Sequence, residues 1–93
     1  MVILTSISGQ ATSPRDLDEK LVWDEVVANP KAGKHIYSAD GDPRFKQADG
    51  WKKMTKIHTR PDGSNIEIHY QYHVNMDKAY DIKITSPQKE TVD

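Results

Sequence analysis

Ninety-three residues with 35% hydrophobic and 29% charged content make one lean domain, whose core can cover one sheet face and a helix but little more. The absence of cysteine excludes a disulfide framework and any thiolate metal site. The net charge of −1 is unevenly spread: residues 1–43 carry four basic and seven acidic groups, whereas residues 44–85 carry eight basic and five acidic. A phosphate-bearing partner would prefer the second half, although its net +3 is modest for a nucleic-acid binder.

Met1 to Ser8 are apolar but too short for a membrane span, and they lack the basic flank of a secretory signal. No membrane span is expected in the chain, and export would be supplied by something outside it. Residues 1–12 read either as a strand that extends the sheet or as a flexible lead. Ser13-Pro14-Arg15-Asp16 reads as a helix start, with Ser13 as cap and Pro14 at the first helical position, where its missing N–H costs nothing. Asp16, Asp18 and Glu19 suit the positive end of the helix dipole. Leu17, Leu21, Val22 and Val26, with Trp23, recur at helical spacing as one apolar stripe. The helix is expected over 13–29, ending near Ala28 because Asn29 precedes Pro30. Residues 31–50 are punctuated by Gly33, Gly41 and Pro43 and read as a long loop, with Asp42 a candidate cap for one helical turn. His35 in that loop reads as a surface residue or as a lid over the sheet.

From Trp51 the apolar period becomes two, predicting a three-stranded antiparallel meander over 51–85, with 86–93 as a tail. Asp62-Gly63 is a strong signal for a two-residue hairpin turn. That turn would pair His58 with Glu67, Ile57 with Ile68 and Lys56 with His69. A three-residue second turn, Asn75-Met76-Asp77, would pair Tyr72 with Tyr80, Tyr70 with Ile82 and His69 with Lys83. The expected fold is α+β: an N-terminal helix packed on a small antiparallel sheet, in a single domain. Ile57, Ile66, Ile68, Tyr70, Tyr72, Val74, Tyr80, Ile82 and Ile84 would face the helix. Lys56, His58, Glu67, His69, Gln71, His73, Asp81, Lys83 and Thr85 would face away from it.

That polar face would place Lys56, His69 and Lys83 in one row and His58, Glu67 and Thr85 in the next, with neighbours about 5 Å apart. A histidine between lysines suits a general base, and one beside a glutamate suits a general acid. Lysines can stabilise the charge that builds on a pentacoordinate phosphorus. Together these groups meet the needs of metal-independent RNA cleavage, in which the 2′-hydroxyl is the nucleophile. The candidate catalytic residues are His69, His58, Glu67 and Lys83; the candidate substrate-binding residues are Lys56, Arg60, Gln71 and Thr85. No cofactor or metal is expected, since His58, His69 and His73 are too far apart along the strands to share one ion. The competing readings are a plain solvated sheet face and a non-catalytic module, an immunity or adaptor protein, that grips a protein partner with it.

Ser13-Pro14-Arg15-Asp16-Leu17, Asn29-Pro30, Gly33, Asp42-Pro43-Arg44-Phe45, Gly50-Trp51-Lys52-Lys53-Met54, Ile68-His69-Tyr70-Gln71-Tyr72 and Ala79-Tyr80-Asp81-Ile82-Lys83-Ile84 together resemble the C-terminal toxin domains of bacterial polymorphic toxins. These are the variable tips of filamentous-haemagglutinin-like and Rhs-like proteins. Many such tips are a helix followed by a small antiparallel sheet, as in the barnase-like, colicin-type and RelE-like ribonucleases. The resemblance implies an endoribonuclease secreted or delivered as part of a larger protein, acting on RNA in the target-cell cytoplasm, and neutralised by a cognate immunity protein. Asp77 departs from what the second turn prefers, because glycine tolerates a left-handed backbone better.

Overall fold

A computed structural model describes residues 10–87. One helix, α1 (Leu17–Ala28), lies against a four-stranded antiparallel sheet. The strands β1 (Lys34–His35), β2 (Trp51–Thr59), β3 (Asn65–His73) and β4 (Lys78–Ile84) are hydrogen-bonded in chain order. The fold is α+β as expected, with one strand more than the meander. Residues 1–9 and 88–93, most of the lead and of the tail, lie outside the described residues. Of the lead, Ala11 adds one antiparallel bridge to Ile84 at the edge of β4, through reciprocal backbone bonds of 2.9 and 2.8 Å. Among the described residues no helix is long and apolar enough to cross a membrane.

The helix starts later than Ser13. Asp16 is its cap, accepting the Glu19 N–H at 2.8 Å. Glu19 reaches back in turn to the Arg15 N–H at 2.7 Å, a variant of the reciprocal capping box. Its carboxylate is fully buried and held by the Arg15 guanidinium at 3.0 and 2.8 Å; the same guanidinium donates to the Ser86 carbonyl at 2.8 Å. This tether rotates the helix away from the expected stripe. Glu19, Val22 and Val26 are buried and Trp23 packs against them, whereas Leu17 and Leu21 are 71% and 58% exposed.

The core is Val22 and Val26 against Met54, Ile66, Ile68, Tyr70, Tyr72 and Ile84, with Ala79 and Ile82 at its margin. Ile57, Val74 and Tyr80, expected there, are not. The first hairpin explains Ile57. Its loop is Pro61-Asp62-Gly63, closed by the Arg60 N–H to Ser64 carbonyl bond at 2.7 Å and the Gly63 N–H to Arg60 carbonyl bond at 2.9 Å. A two-residue Asp-Gly loop would need Pro61 to close the ladder, and proline has no N–H to donate. Pro61 instead takes the second turn position, which suits its fixed φ, and Gly63 supplies the left-handed φ of 91° that ends a three-residue loop. His58 therefore pairs with Ile66, Lys56 with Ile68, and Met54 with Tyr70. Every side chain of β2 moves to the opposite face from the one expected.

The second turn has four residues, Val74 to Asp77, between the paired His73 and Lys78. This places Ala79 opposite Tyr72, and Tyr80 opposite Gln71 on the face away from the helix. The offset lasts only as far as Asp81, whose φ of 52° marks a bulge between His69 and Gln71 of the partner strand. Beyond it His69 pairs with Lys83 and Ile68 with Ile84. The longer turn and the bulge cancel, so the lower half of the expected register holds.

The segment between α1 and β2 is three single 3-10 turns, Pro30–Ala32, Tyr37–Ala39 and Gln47–Asp49, around the short strand β1. Asp42 starts one hydrogen-bonded turn, its carbonyl accepting the Phe45 N–H at 3.0 Å and its side chain the Arg44 N–H at 2.9 Å, and no longer helix follows from it. Asp40 ends the β1–β2 ladder by accepting the Lys53 N–H at 2.9 Å. Its other oxygen meets His35 Nε2 at 2.6 Å, so His35 is an edge clasp rather than a lid.

Candidate active site

The candidate site lies on the sheet face away from α1. Cross-strand pairing on this face makes three rows. The first is Lys34, Thr55, His69 and Lys83; the second is Lys53, Gln71 and Tyr80, with Asp81 at the bulge beside it; the third is Trp51, His73 and Lys78. Ile57, Glu67 and Thr85 flank the first row on its other side. Of the residues singled out in the sequence, His69, Glu67, Lys83, Gln71 and Thr85 share this face.

Glu67 and His69 are two residues apart on β3, which puts both side chains on one face. Glu67 Oε2 and His69 Nε2 are 2.7 Å apart, and both side chains remain partly open to solvent. The bond occupies Nε2 and leaves Nδ1 as the second functional atom of the ring. Lys83, directly across the ladder from His69, sits 3.5 Å from Asp81. Asp81 is also 3.7 Å from Arg44, which forms a two-point pair with Asp42. The Arg44 contacts hold the Asp42 carboxyl at a pKa of about 2. The Asp42–Arg44 turn thus rests at the border of the face and joins its charge network.

Lys53, Thr55 and Lys34 also belong to this face, where the expected register did not place them. Burial, and then the nearby charge of Lys83, pushes the Lys53 ammonium below its ordinary pKa. Gln71 beside it is only 2% exposed. Trp51 anchors the far end of the face. Its ring packs against Phe45 at 4.9 Å, His73 at 4.7 Å and Tyr80 at 5.2 Å, pinning the preceding loop to the sheet.

Three expected site residues lie elsewhere. His58 and Lys56 point to the helix side, because the three-residue loop inverts β2. Lys56 there lines a cavity of about 260 Å³ between β2 and the C-terminal end of α1, together with Glu25, Val26 and Tyr70. No histidine lines that cavity. Arg60 is 7% exposed and bound to Asp16 at 3.5 Å and Asp18 at 3.6 Å, a tether for the start of the helix rather than a phosphate ligand. Thr85 is on the expected face, but its hydroxyl donates to the Glu67 carbonyl at 3.4 Å. Among the described residues no group of three or more His, Asp and Glu is arranged to hold a metal ion.

No known protein family, curated protein or solved structure matches this chain.

Proposed function

We propose that the face away from the helix is the active site of a small metal-independent endoribonuclease. This reading suits a toxin domain delivered into a neighbouring cell and held in check by a cognate immunity protein. The observation that carries it is the Glu67–His69 hydrogen bond of 2.7 Å, solvent-accessible and flanked across the ladder by Lys83. In this mechanism Glu67 fixes the imidazole through Nε2, and Nδ1 takes the proton of the RNA 2′-hydroxyl. The 2′-oxygen bonds to the adjacent phosphorus, and the bond from phosphorus to the 5′-oxygen breaks. Lys83 gives the leaving 5′-oxygen its proton, leaving a 2′,3′-cyclic phosphate and a 5′-hydroxyl; His69 then releases its proton to solvent as Lys83 takes one back. Lys53 and Lys83 offset the negative charge that grows on the phosphorane.

The test is incubation of the purified protein with total RNA in EDTA. Cleavage with cyclic-phosphate ends is expected, reduced by roughly 10²-fold or more in His69→Ala and left near the parent rate in His58→Ala. A folded protein that leaves RNA intact overturns the reading, leaving the sheet as a protein-binding surface. Cleavage that survives His69→Ala removes the assigned base.

A further inference from the structure

The row that carries His69 contains an atom that the mechanism above does not use. Thr55 lies between Lys34 and His69 in the ladder and is 9% exposed. Its Oγ1 is the one buried side-chain polar atom among the described residues that has no hydrogen-bond partner. A buried hydroxyl without a partner lowers stability. A valine of the same shape would avoid that cost and suit a strand equally well. Around it the cations Lys34, Lys53, Lys83 and Arg44 outnumber the carboxylates Glu67, Asp42 and Asp81 by one. Lys34 flanks Thr55 on one side, Lys83 follows His69 on the other, and Lys53 shares its strand and face two residues away. Lys83 and Arg44 share the single carboxylate of Asp81, 3.5 Å from the ammonium of Lys83. Two lysines in the first row and a third in the next, with an unsatisfied donor between them, form a set that an anionic oxygen would complete.

We propose that the Lys34–Thr55–His69–Lys83 row, with Lys53 beside it, is the seat of a phosphodiester group, and that the Thr55 hydroxyl donates a hydrogen bond to a non-bridging phosphate oxygen. The assignment of that phosphodiester to RNA rests on the ribonuclease reading; the anion seat itself does not. Rotation by about 120° about χ1 carries the hydroxyl to another staggered position, so the donor can turn toward an acceptor without moving the strand. Burial, and after it the like charge of Lys83, already depresses the Lys53 pKa, and an anion between the two lysines would relieve their repulsion. Thr55 is thus a binding residue retained at a cost to the free protein, and that cost separates this role from simple packing.

Thermal unfolding with inorganic phosphate, against sodium chloride of equal ionic strength, tests the seat. Phosphate should raise the midpoint of the parent protein and of Thr55→Ser above that of the chloride control. Thr55→Val should unfold at a higher temperature than the parent without phosphate, yet bind phosphate about tenfold more weakly, the loss expected for one hydrogen bond to a charged acceptor. A Thr55→Val protein that gains as much from phosphate as the parent overturns the proposal, as does a parent protein that gains nothing over chloride. If Thr55→Val does not fold, Lys53→Gln and Lys83→Gln must each weaken phosphate binding, and unchanged binding in both is equally fatal. Parallel RNA digestion separates the two claims. A phosphate effect that depends on Thr55 without RNA cleavage keeps the seat and rejects the nuclease; cleavage with no phosphate effect does the reverse.

Discussion

Glu19 shows how a single side chain sets the geometry around it. Its carboxylate is completely buried, joins the Arg15 backbone and guanidinium, and through Arg15 ties the first turn of α1 to Ser86 beyond β4. Removing one member of a buried pair leaves the other charge uncompensated, which costs more than the pair itself contributes. Arg15→Leu should therefore lower the unfolding free energy by about 3 kcal/mol, measured by urea denaturation. A loss below about 0.5 kcal/mol, the size typical of surface substitutions, would show that Glu19 finds another partner. Local chemistry reveals some of this in advance, since an acidic first turn marks a helix start. It does not reveal that Glu19, and not Leu17 or Leu21, points inward. Both stripes have helical spacing, and the choice between them depends on a carbonyl 71 positions away from Arg15.

Among the elements, β4 carries the feature on which the site depends. The four-residue turn moves Tyr80 to the outer face, and the bulge at Asp81 returns Lys83 to a position opposite His69. The bulge requires a left-handed residue, φ 52° at Asp81, a conformation that aspartate tolerates better than most residues and β-branched residues tolerate poorly. Asp81→Gly and Asp81→Val both delete the carboxylate, so their difference isolates the backbone. The valine variant should be the less stable by about 1–2 kcal/mol, and equal stability in denaturant melts would show that the bulge is not strained by a side chain. The strand β2 teaches a related lesson. Trp51, Met54 and Ile57 are apolar at both parities, so alternation alone cannot assign its faces; Trp51 and Ile57 outvote Met54 and give the wrong result. The lone cue is Pro61, whose missing N–H rules out the shorter loop.

At the scale of the whole molecule, the described fold is elongated, 50 × 24 × 19 Å, with the helix and the core on one side of the sheet and the charged rows on the other. The arrangement has a consequence for pH dependence. The Lys53 pKa is lowered by burial and by Lys83, so the folded state holds that proton less tightly than the unfolded chain does. The resulting penalty is fully present below the folded pKa and fades as pH rises toward the ordinary lysine value of 10.5. Lys53→Met should accordingly be more stable than the parent near neutral pH, with the gap closing as pH approaches that value. Tyr70, raised above its usual pKa by burial, and Tyr72, raised by its bond to Asp77, make both proteins lose stability as the unfolded tyrosines ionise. That loss cancels in the comparison. Parallel melts across neutral to alkaline pH measure it, and a gap that widens with pH would contradict the assigned cause.

Reading residues in order is enough to recognise one helix on an antiparallel sheet, the end of the helix before Pro30, and a polar face containing Glu67, His69, Gln71, Lys83 and Thr85. Those features follow from periodicity, from proline stereochemistry and from the alternation of β3, all of which act over a few neighbouring residues. Which residues of β2 join that face is a different kind of question. Replacing Lys56 and His58 with Lys53 and Thr55 takes a shift of one position, and that shift is settled by loop closure around Pro61 and by which side of β2 the helix covers. The inward rotation of α1 and the burial of Arg60 likewise depend on partners distant in the chain. A pleated strand has a period of two, so the smallest error in register is also the largest possible error in face. The class of the fold survives that error, whereas the membership of the site does not.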